Sequence, residues 1–122
     1  MSIPCFEVWL DEERQMVRQR IRGAPDLTQF LQMSAATGEC ASRLRCPTEV
    51  CILVEGEELG RLPKPTRSVA METLKRPDLK RVAIVTSSRF GRIMLRFIVV
   101  ATGIDKVRAF RDKAEALKWL QS

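Results

Sequence analysis

Two short apolar runs constrain the fold of this chain more than any other feature. Residues 50–54 read Val-Cys-Ile-Leu-Val, and residues 81–86 read Arg-Val-Ala-Ile-Val-Thr. An uninterrupted apolar run of this length is typical of a strand buried on both faces of a parallel sheet. Each run is followed by a segment with helical character, and alternation of strands with helices predicts right-handed crossovers within one layered α/β structure.

The beginning of the chain has a different pattern. Phe6, Val8 and Leu10 alternate with Glu7 and Trp9. In residues 15–22, Val17 and Ile21 alternate with arginines. Alternation of this kind predicts strands with one core face. The polar stretch 11–14 between them predicts a tight connection, so the two strands are expected to form an antiparallel hairpin.

Helix signals separate the predicted strands. Asp26 is followed three residues later by Gln29, the arrangement of a capping box, and a helix is expected from there to about residue 44. Gly103 is expected to end a later helix as its C′ residue, and Asp112 is expected to cap the last one. The remaining predictions are helices at 66–74, 88–102 and 113–120, a strand at 106–110 and a loop at 55–65.

These elements predict one α/β domain over residues 1–122, with a mostly parallel sheet, an N-terminal antiparallel hairpin and right-handed crossovers. The amino terminus lacks the basic and apolar regions of a signal peptide, and no apolar run is long enough to span a bilayer. A cytoplasmic location is therefore expected. The cysteines form no C-x-x-C pair and are expected to be free thiols, since nothing suggests export; they are Cys5, Cys40, Cys46 and Cys51.

The charge and the composition limit the classes of function that are expected for this chain. The net charge is +6, and residues 75–111 contain ten bases against only Asp78 and Asp105. Such a field attracts anions or acidic partners. The chain contains no histidine, the commonest general base and metal ligand, and no tyrosine. We therefore expect a protein that is not an enzyme and that has no cofactor or metal.

The end of the chain resembles a known family. Residues 107–120, VRAFRDKAEALKWL, form a strand, a charged cap and an Ala-Leu-x-Trp-Leu pattern, and residues 80–88 read KRVAIVTSS. Both segments, and the order of elements, resemble the STAS (SpoIIAA-like) family. The resemblance implies the STAS fold and a non-catalytic interaction or sensing module. It also implies a small apolar ligand as an alternative, because the SpoIIAA-like group is compared with CRAL-TRIO lipid-carrying domains.

One family feature is missing. In anti-sigma-factor antagonists of the STAS family, a serine in an Asp-Ser-x-Gly pattern begins the helix after the second parallel strand and is phosphorylated. Residues 54–68 here lack that pattern. A phosphorylation switch of that type is therefore not expected. The acidic residues of this segment, Glu55, Glu57 and Glu58, are instead expected on a mobile loop that covers a pocket.

The predicted helix 88–102 carries the first candidate surface. At helical spacing its apolar residues predict a core face, which consists of Phe90, Ile93, Met94, Phe97 and Ala101. Three large apolar residues fall outside that face, namely Leu95, Ile98 and Val99. They predict either a dimer interface, a partner groove or a ligand wall, or else burial beneath another element.

Two polar groupings are further candidate binding sites. The first lies where a parallel strand ends and a helix begins, at an edge of the sheet where anions often bind. Its members are Thr86, Ser87, Ser88, Arg89 and Arg92, and the alternative is an ordinary serine cap of the helix.

The second polar grouping is an arginine row. Arg18, Arg20 and Arg22 share one side of a strand, where they can contact phosphates or an acidic partner; the alternative is a solvated face paired with Glu7.

Two functions follow from these features. The first is a regulatory or interaction module, homodimeric through its surplus apolar residues, with a regulatory protein partner. The second is a binding or carrier protein for a small amphipathic or anionic ligand, such as a lipid or a nucleotide. A nucleic-acid partner is not expected, because the arginine row lacks interleaved aromatic residues and no nucleic-acid motif is present.

Overall fold

A computed structural model of the chain describes residues 5–122, which form one five-stranded sheet with helices on both faces. The expectation about a signal peptide falls partly on residues 1–4, outside the described residues. The strands are β1 (Phe6–Asp11), β2 (Met16–Ile21), β3 (Val50–Gly56), β4 (Leu79–Val85) and β5 (Val107–Phe110). The helices are α1 (Leu27–Ser42), α2 (Lys64–Leu74), α3 (Arg89–Thr102) and α4 (Lys113–Leu120), and a 3₁₀ turn, η1 (Leu59–Arg61), precedes α2.

The strands lie in the sheet in their sequence order, β1 to β5. β1 and β2 pair antiparallel, whereas β2, β3, β4 and β5 pair parallel. The predicted fold class, a mostly parallel sheet that begins with an antiparallel hairpin, is confirmed. The two apolar runs that predicted it become β3 and β4 at the centre of the sheet.

The order of the strands decides where the helices lie. Successive crossovers of one hand between neighbouring parallel strands place α1, α2 and α3 on the same face. A row of buried side chains crosses the sheet beneath them, and its members are Val17, Ile52, Val82 and Val107. α4 returns to the opposite face, where Ala116 and Leu120 pack with Leu53 and Ala83.

The caps behave as predicted. Asp26 accepts a hydrogen bond from the Gln29 backbone at 2.8 Å, and the Gln29 side chain accepts one from the Asp26 backbone at 3.0 Å, which completes the capping box. Gly103 ends α3 with φ of 72°, a left-handed conformation that glycine adopts without strain. α2 begins two residues earlier than predicted, because Pro65 suits the first turn of a helix.

The orientation of α3 differs from the prediction. Phe90 and Phe97, assigned to its core face, are 65% and 67% exposed. Leu95 and Val99 pack against the core instead. α3 has apolar residues around most of its circumference, so spacing alone could not fix its rotation. Arg92 lies on the side of Leu95 and Val99 and donates to the Thr86 carbonyl at 2.9 Å, which holds this side toward the sheet.

All four cysteines are free thiols. Cys51 lies in β3, and Cys5 precedes β1 by one residue. Burial raises the pKa of the Cys51 thiol. Cys46 is exposed, so it is the most accessible of the four to reagents in solution. None of the helices formed by residues 5–122 combines the length and apolar character needed to cross a membrane.

Replacement of the central leucine should destabilise the fold strongly. Leu53 is fully buried between β2, β4 and α4. We expect Leu53→Ala to lower the free energy of unfolding by about 2–5 kcal/mol, because it removes apolar contacts and leaves a cavity. Urea denaturation followed by circular dichroism measures this change. Leu31→Ala is the control, since Leu31 is 51% exposed and its loss should matter little; equal effects of the two would contradict the assigned core.

Candidate functional site: a cavity between the sheet and the helices

A large cavity lies on the face of the sheet that carries α1, α2 and α3. Its volume is about 560 Å³, its lining is mainly apolar and it is half open to solvent. The sheet supplies the floor through Ile52, Val54, Val82 and Ile84. The volume falls within the range of about 300–1,000 Å³ that is usual for small-molecule sites.

The packing of the helices explains why this space is not filled. α2 packs against α1, whereas α3 packs against β5 and η1. The two helices therefore stand on either side of a gap above β3 and β4. Met71 and Leu74 of α2 and Leu95 and Ile98 of α3 line it, and Met33 and Phe30 of α1 close it from behind.

Most polar groups around the cavity are already paired. Gln19 is buried in its floor and donates to Thr37 Oγ1 at 2.9 Å. At the end where β4 begins, Arg76 and Asp78 form an ion pair at 3.0 Å. The hydrogen bond from Arg76 holds the pKa of the Asp78 carboxyl below its usual value. The cavity thus offers a ligand mainly apolar surface.

A cluster of hydrogen bonds closes the end where β3 and β4 finish. Glu57 accepts from the Ser87 backbone N–H at 3.0 Å, from the Ser87 hydroxyl at 2.5 Å and from the Thr86 hydroxyl at 3.4 Å. Ser88 caps α3 by accepting from Gly91 N at 3.1 Å. These bonds tie the β3–α2 loop to the start of α3.

The residues predicted to bind an anion therefore lie close together, but some of their hydrogen-bonding groups are already used by other groups of the chain. The structure brings Thr86, Ser87, Ser88 and Arg92 together, but the Glu57 carboxylate accepts from the Ser87 N–H and Arg92 turns toward a carbonyl. Arg89 is exposed and makes no part of this cluster. Glu57 was not predicted at this site, although its position just after β3 places it beside the end of β4.

The three loop glutamates do not cluster. Glu55 belongs to β3 and lies on the α4 face, where it pairs with Arg18, Arg20 and Lys113. Glu57 lines the cavity on the other face. The segment expected to be a loop also contains η1, whose residues Leu59 and Gly60 cover one end of the cavity.

The arginine row is neutralised by neighbouring acids. Arg18 lies 3.9 Å from Asp11 and 3.7 Å from Glu55, and Arg20 lies 3.4 Å from Glu55. Arg22 pairs with Glu7 at 3.1 Å. The pairing with Glu7 given as the alternative above is thus observed, and it extends to two further acids. Arg18 and Arg20 lie on the α4 face of the sheet, away from the cavity.

Sequence reasoning missed an aromatic residue within this row. Trp9 is the cross-strand partner of Arg18. The guanidinium carbons of Arg18 and Arg20 lie 5.2 and 5.5 Å from its ring centroid, a cation–π arrangement. The hairpin register, which follows from the alternating pattern, would have placed Trp9 on the face of the arginines.

The three residues predicted as an interface, a ligand wall or buried side chains are partly buried. Leu95 and Ile98 line the cavity, and Leu95 and Val99 pack against the core. The exposed apolar residues of α3 are those of the predicted core face or next to it, namely Phe90, Ile93, Phe97 and Val100.

The sequential sheet, its leading hairpin and the helices on its two faces define an α/β domain of the STAS type. The SpoIIAA-like family model matches residues 16–121, and the chain belongs to this family. A crystal structure of an uncharacterised DUF3478-family protein from Shewanella loihica PV-4, with a SpoIIAA-like fold, superposes with a TM-score of 0.68. It is 17% identical, and the alignment covers 98% of this chain and 97% of that one. No curated protein matches the sequence.

Loss of the Glu57 carboxylate should release the start of α3. We expect Glu57→Ala to lower the free energy of unfolding by about 1 kcal/mol and to speed hydrogen exchange at the Ser87 amide, which loses its acceptor. Hydrogen exchange read by NMR measures the second effect. Glu58→Ala removes the same charge from the next residue and should leave Ser87 protected; equal exchange rates in both variants would contradict the tie described here.

Proposed function

We propose that this protein binds and carries a small amphipathic molecule whose apolar part lies in the cavity. The observation that supports this proposal is the half-open apolar space of about 560 Å³ between the sheet and α1, α2 and α3. Apolar surface transferred from water into such a site contributes about 25 cal/mol per Å². A ligand with a hydrocarbon part would therefore bind with a substantial free energy.

The lining of the cavity supports the same interpretation. Because the space is half open, water fills it when no ligand is bound, and that water finds few unpaired polar partners there. An apolar ligand that displaces this water removes apolar surface from it.

The polar end of the ligand would remain at the opening. Arg67 lines the cavity, is exposed, and has no ion-pair partner in the part of the chain that the structure describes. An anionic head group is attracted to such a side chain. In this proposal the chain acts as a single non-enzymatic domain in the cytoplasm, and Glu57 and Ser87 hold the cavity closed at one end rather than perform chemistry.

Filling the cavity should abolish ligand binding. Ala70 of α2 lines it, so Ala70→Trp would place an indole in the space that a hydrocarbon chain needs. Native mass spectrometry with added laurate and palmitate, supported by thermal shifts, measures binding. We expect the natural chain to bind at least one of these fatty acids and Ala70→Trp to bind at least tenfold more weakly.

The matched control is Ala35→Trp, at an exposed position of α1. It should bind as the natural chain does. Absence of binding and of any thermal shift across fatty acids, lysophospholipids and nucleotides would contradict the proposal, as would equal binding by the two tryptophan variants.

A homodimer is the second candidate, and the exposed side of α3 favours it. Phe90, Ile93, Phe97 and Val100 are 65%, 43%, 67% and 83% exposed and share one side of the helix. Scattered apolar residues are normal on a surface, but a contiguous group of large ones marks an interaction site. In a dimer of this kind, α3 of two copies would cover each other, consistent with an interaction or regulatory module.

A charge on this side of α3 should separate the copies. We expect Phe97→Asp to convert a dimer to a monomer, because a carboxylate buried without a partner is strongly unfavourable. Light scattering coupled to size-exclusion chromatography measures the mass. Leu31→Asp, at a similarly exposed apolar position of α1, should leave the dimer intact. A natural chain that is monomeric at high concentration would exclude this candidate.

A further inference from the structure

The exposed apolar side of α3 points away from the sheet, in the direction in which the cavity opens. Phe90 and Phe97 lie on the opposite side of the helix from Leu95 and Val99, through which α3 packs against the core. The cavity has the sheet as its floor and α2 and α3 as its walls, so its open side also faces away from the sheet. A flat surface that covers the two phenylalanines would therefore lie across the opening of the cavity as well.

The exposed apolar side of α3 is continuous with the lining of the cavity. At helical spacing Met94 and Ala101 come next to Phe90 and Phe97 around the helix, and both line the cavity. Ala101 is exposed and so belongs to both surfaces. A hydrocarbon chain would thus meet apolar side chains from the outside of α3 to the cavity wall.

Exposed arginines border this apolar area on both sides. Arg89 and Arg96 flank it on α3, on the side away from the cavity, and Arg67 of α2 lines the cavity across from it. In the part of the chain that the structure describes, no acid lies at ion-pair distance from any of the three. Residues 59–71, which include η1 and the start of α2, and residues 87–104, which include α3, contain no acid. The surface therefore has an apolar centre and positively charged margins.

We propose that α3 lies on the surface of an anionic lipid bilayer, with its exposed apolar side at the boundary between head groups and acyl chains. A helix with bases beside a row of large apolar residues binds a membrane in this way. Arg89 and Arg96 would contact the lipid phosphates. Transfer of a ligand between the bilayer and the cavity would be the purpose of this docking, and in that respect it rests on the proposed carrier function. The docking itself uses only the outside of the protein.

The charges favour a bilayer over a second copy of the chain. A symmetric dimer pairs the same surface of both copies. Arg89 and Arg96 of one copy would then approach those of the other, and α3 carries no acid that could lie between them. Anionic head groups would neutralise the same arginines. The dimer named above and the bilayer use the same side of α3, so measurements of mass and of vesicle binding distinguish them.

Sedimentation with lipid vesicles tests the charge requirement. Vesicles of phosphatidylcholine and phosphatidylglycerol in equal parts should bind the natural chain at least tenfold more tightly than vesicles of phosphatidylcholine alone. The double variant Arg89→Gln with Arg96→Gln should lose most of this preference. Arg45→Gln with Lys80→Gln removes the same charge at exposed positions outside α3 and should retain most of it. Equal loss in both double variants would mean general electrostatic attraction and would overturn the proposal.

A fluorescent probe in α3 tests the orientation without a change in charge. The natural tryptophans, Trp9 and Trp119, lie on the α4 face of the sheet, so brominated phosphatidylcholine in the anionic vesicles should quench them little. Phe97→Trp keeps an exposed aromatic side chain on α3, and its added fluorescence should be strongly quenched. Ala114→Trp is the matched control at an exposed position of α4 and should behave as the natural chain does.

Other outcomes of these measurements overturn the proposal. Equal quenching of Phe97→Trp and Ala114→Trp would show that α3 does not face the bilayer. A dimer that Phe97→Asp separates, without binding to anionic vesicles, would assign this side of α3 to a second copy. Fatty-acid binding without vesicle binding would contradict the docking alone. Vesicle binding with quenching at position 97 would support the docking even if no fatty acid is bound, so the two proposals are judged separately.

Discussion

Burial of β3 and β4 on both faces, at the centre of a parallel sheet, governs how the other elements are arranged. Ile52 and Val82 face the helices α1 to α3, while Leu53 and Ala83 face α4. Because both faces of these strands must be covered, the chain has to place helices on both sides of the sheet. The sequential strand order then sends three helices to one face and only the last to the other. The single helix α4 covers its face closely, with Ala116 fully buried against the sheet.

Three helices over one face do not fill it evenly. α1 and α2 pack together, α3 packs at the β5 edge, and the unfilled space between α2 and α3 becomes the cavity. The rotation of α3 decides the character of two surfaces at once. Since Leu95 and Ile98 line the cavity, the large apolar residues on the other side of the helix, Phe90 and Phe97 among them, are left in solvent. The same rotation of α3 therefore lines the cavity and exposes large apolar side chains on the other side of the helix.

The distribution of charge separates the two edges of the sheet. At the β1 edge the arginines of β2 are bound by Glu7, Asp11 and Glu55, and Trp9 stacks against two of them. Such a network covers polar surface and leaves little field to attract a partner. At the β5 edge Arg96 and Arg108 have no acidic partner among residues 5–122. An arginine is available to a partner where the fold places no acidic residue beside it, and these acidic neighbours are mostly distant in sequence.

Local patterns in the chain were enough to predict the order of the elements, the parallel core and the hairpin, because apolar periodicity and caps such as Asp26 and Gly103 act over a few residues. A serine cap at this helix was the alternative to an anion site, and the structure has Ser88 as the cap of α3. The rotation of α3, the pairing of Glu57 with Ser87 and the neutralisation of Arg18 and Arg20 could not be predicted in this way. Glu57 and Ser87 are 30 residues apart and Arg20 and Glu55 are 35 residues apart, so their alignment follows from the sheet register rather than from a local pattern. The cavity belongs to the same class, since an unfilled space exists only once the helices have packed.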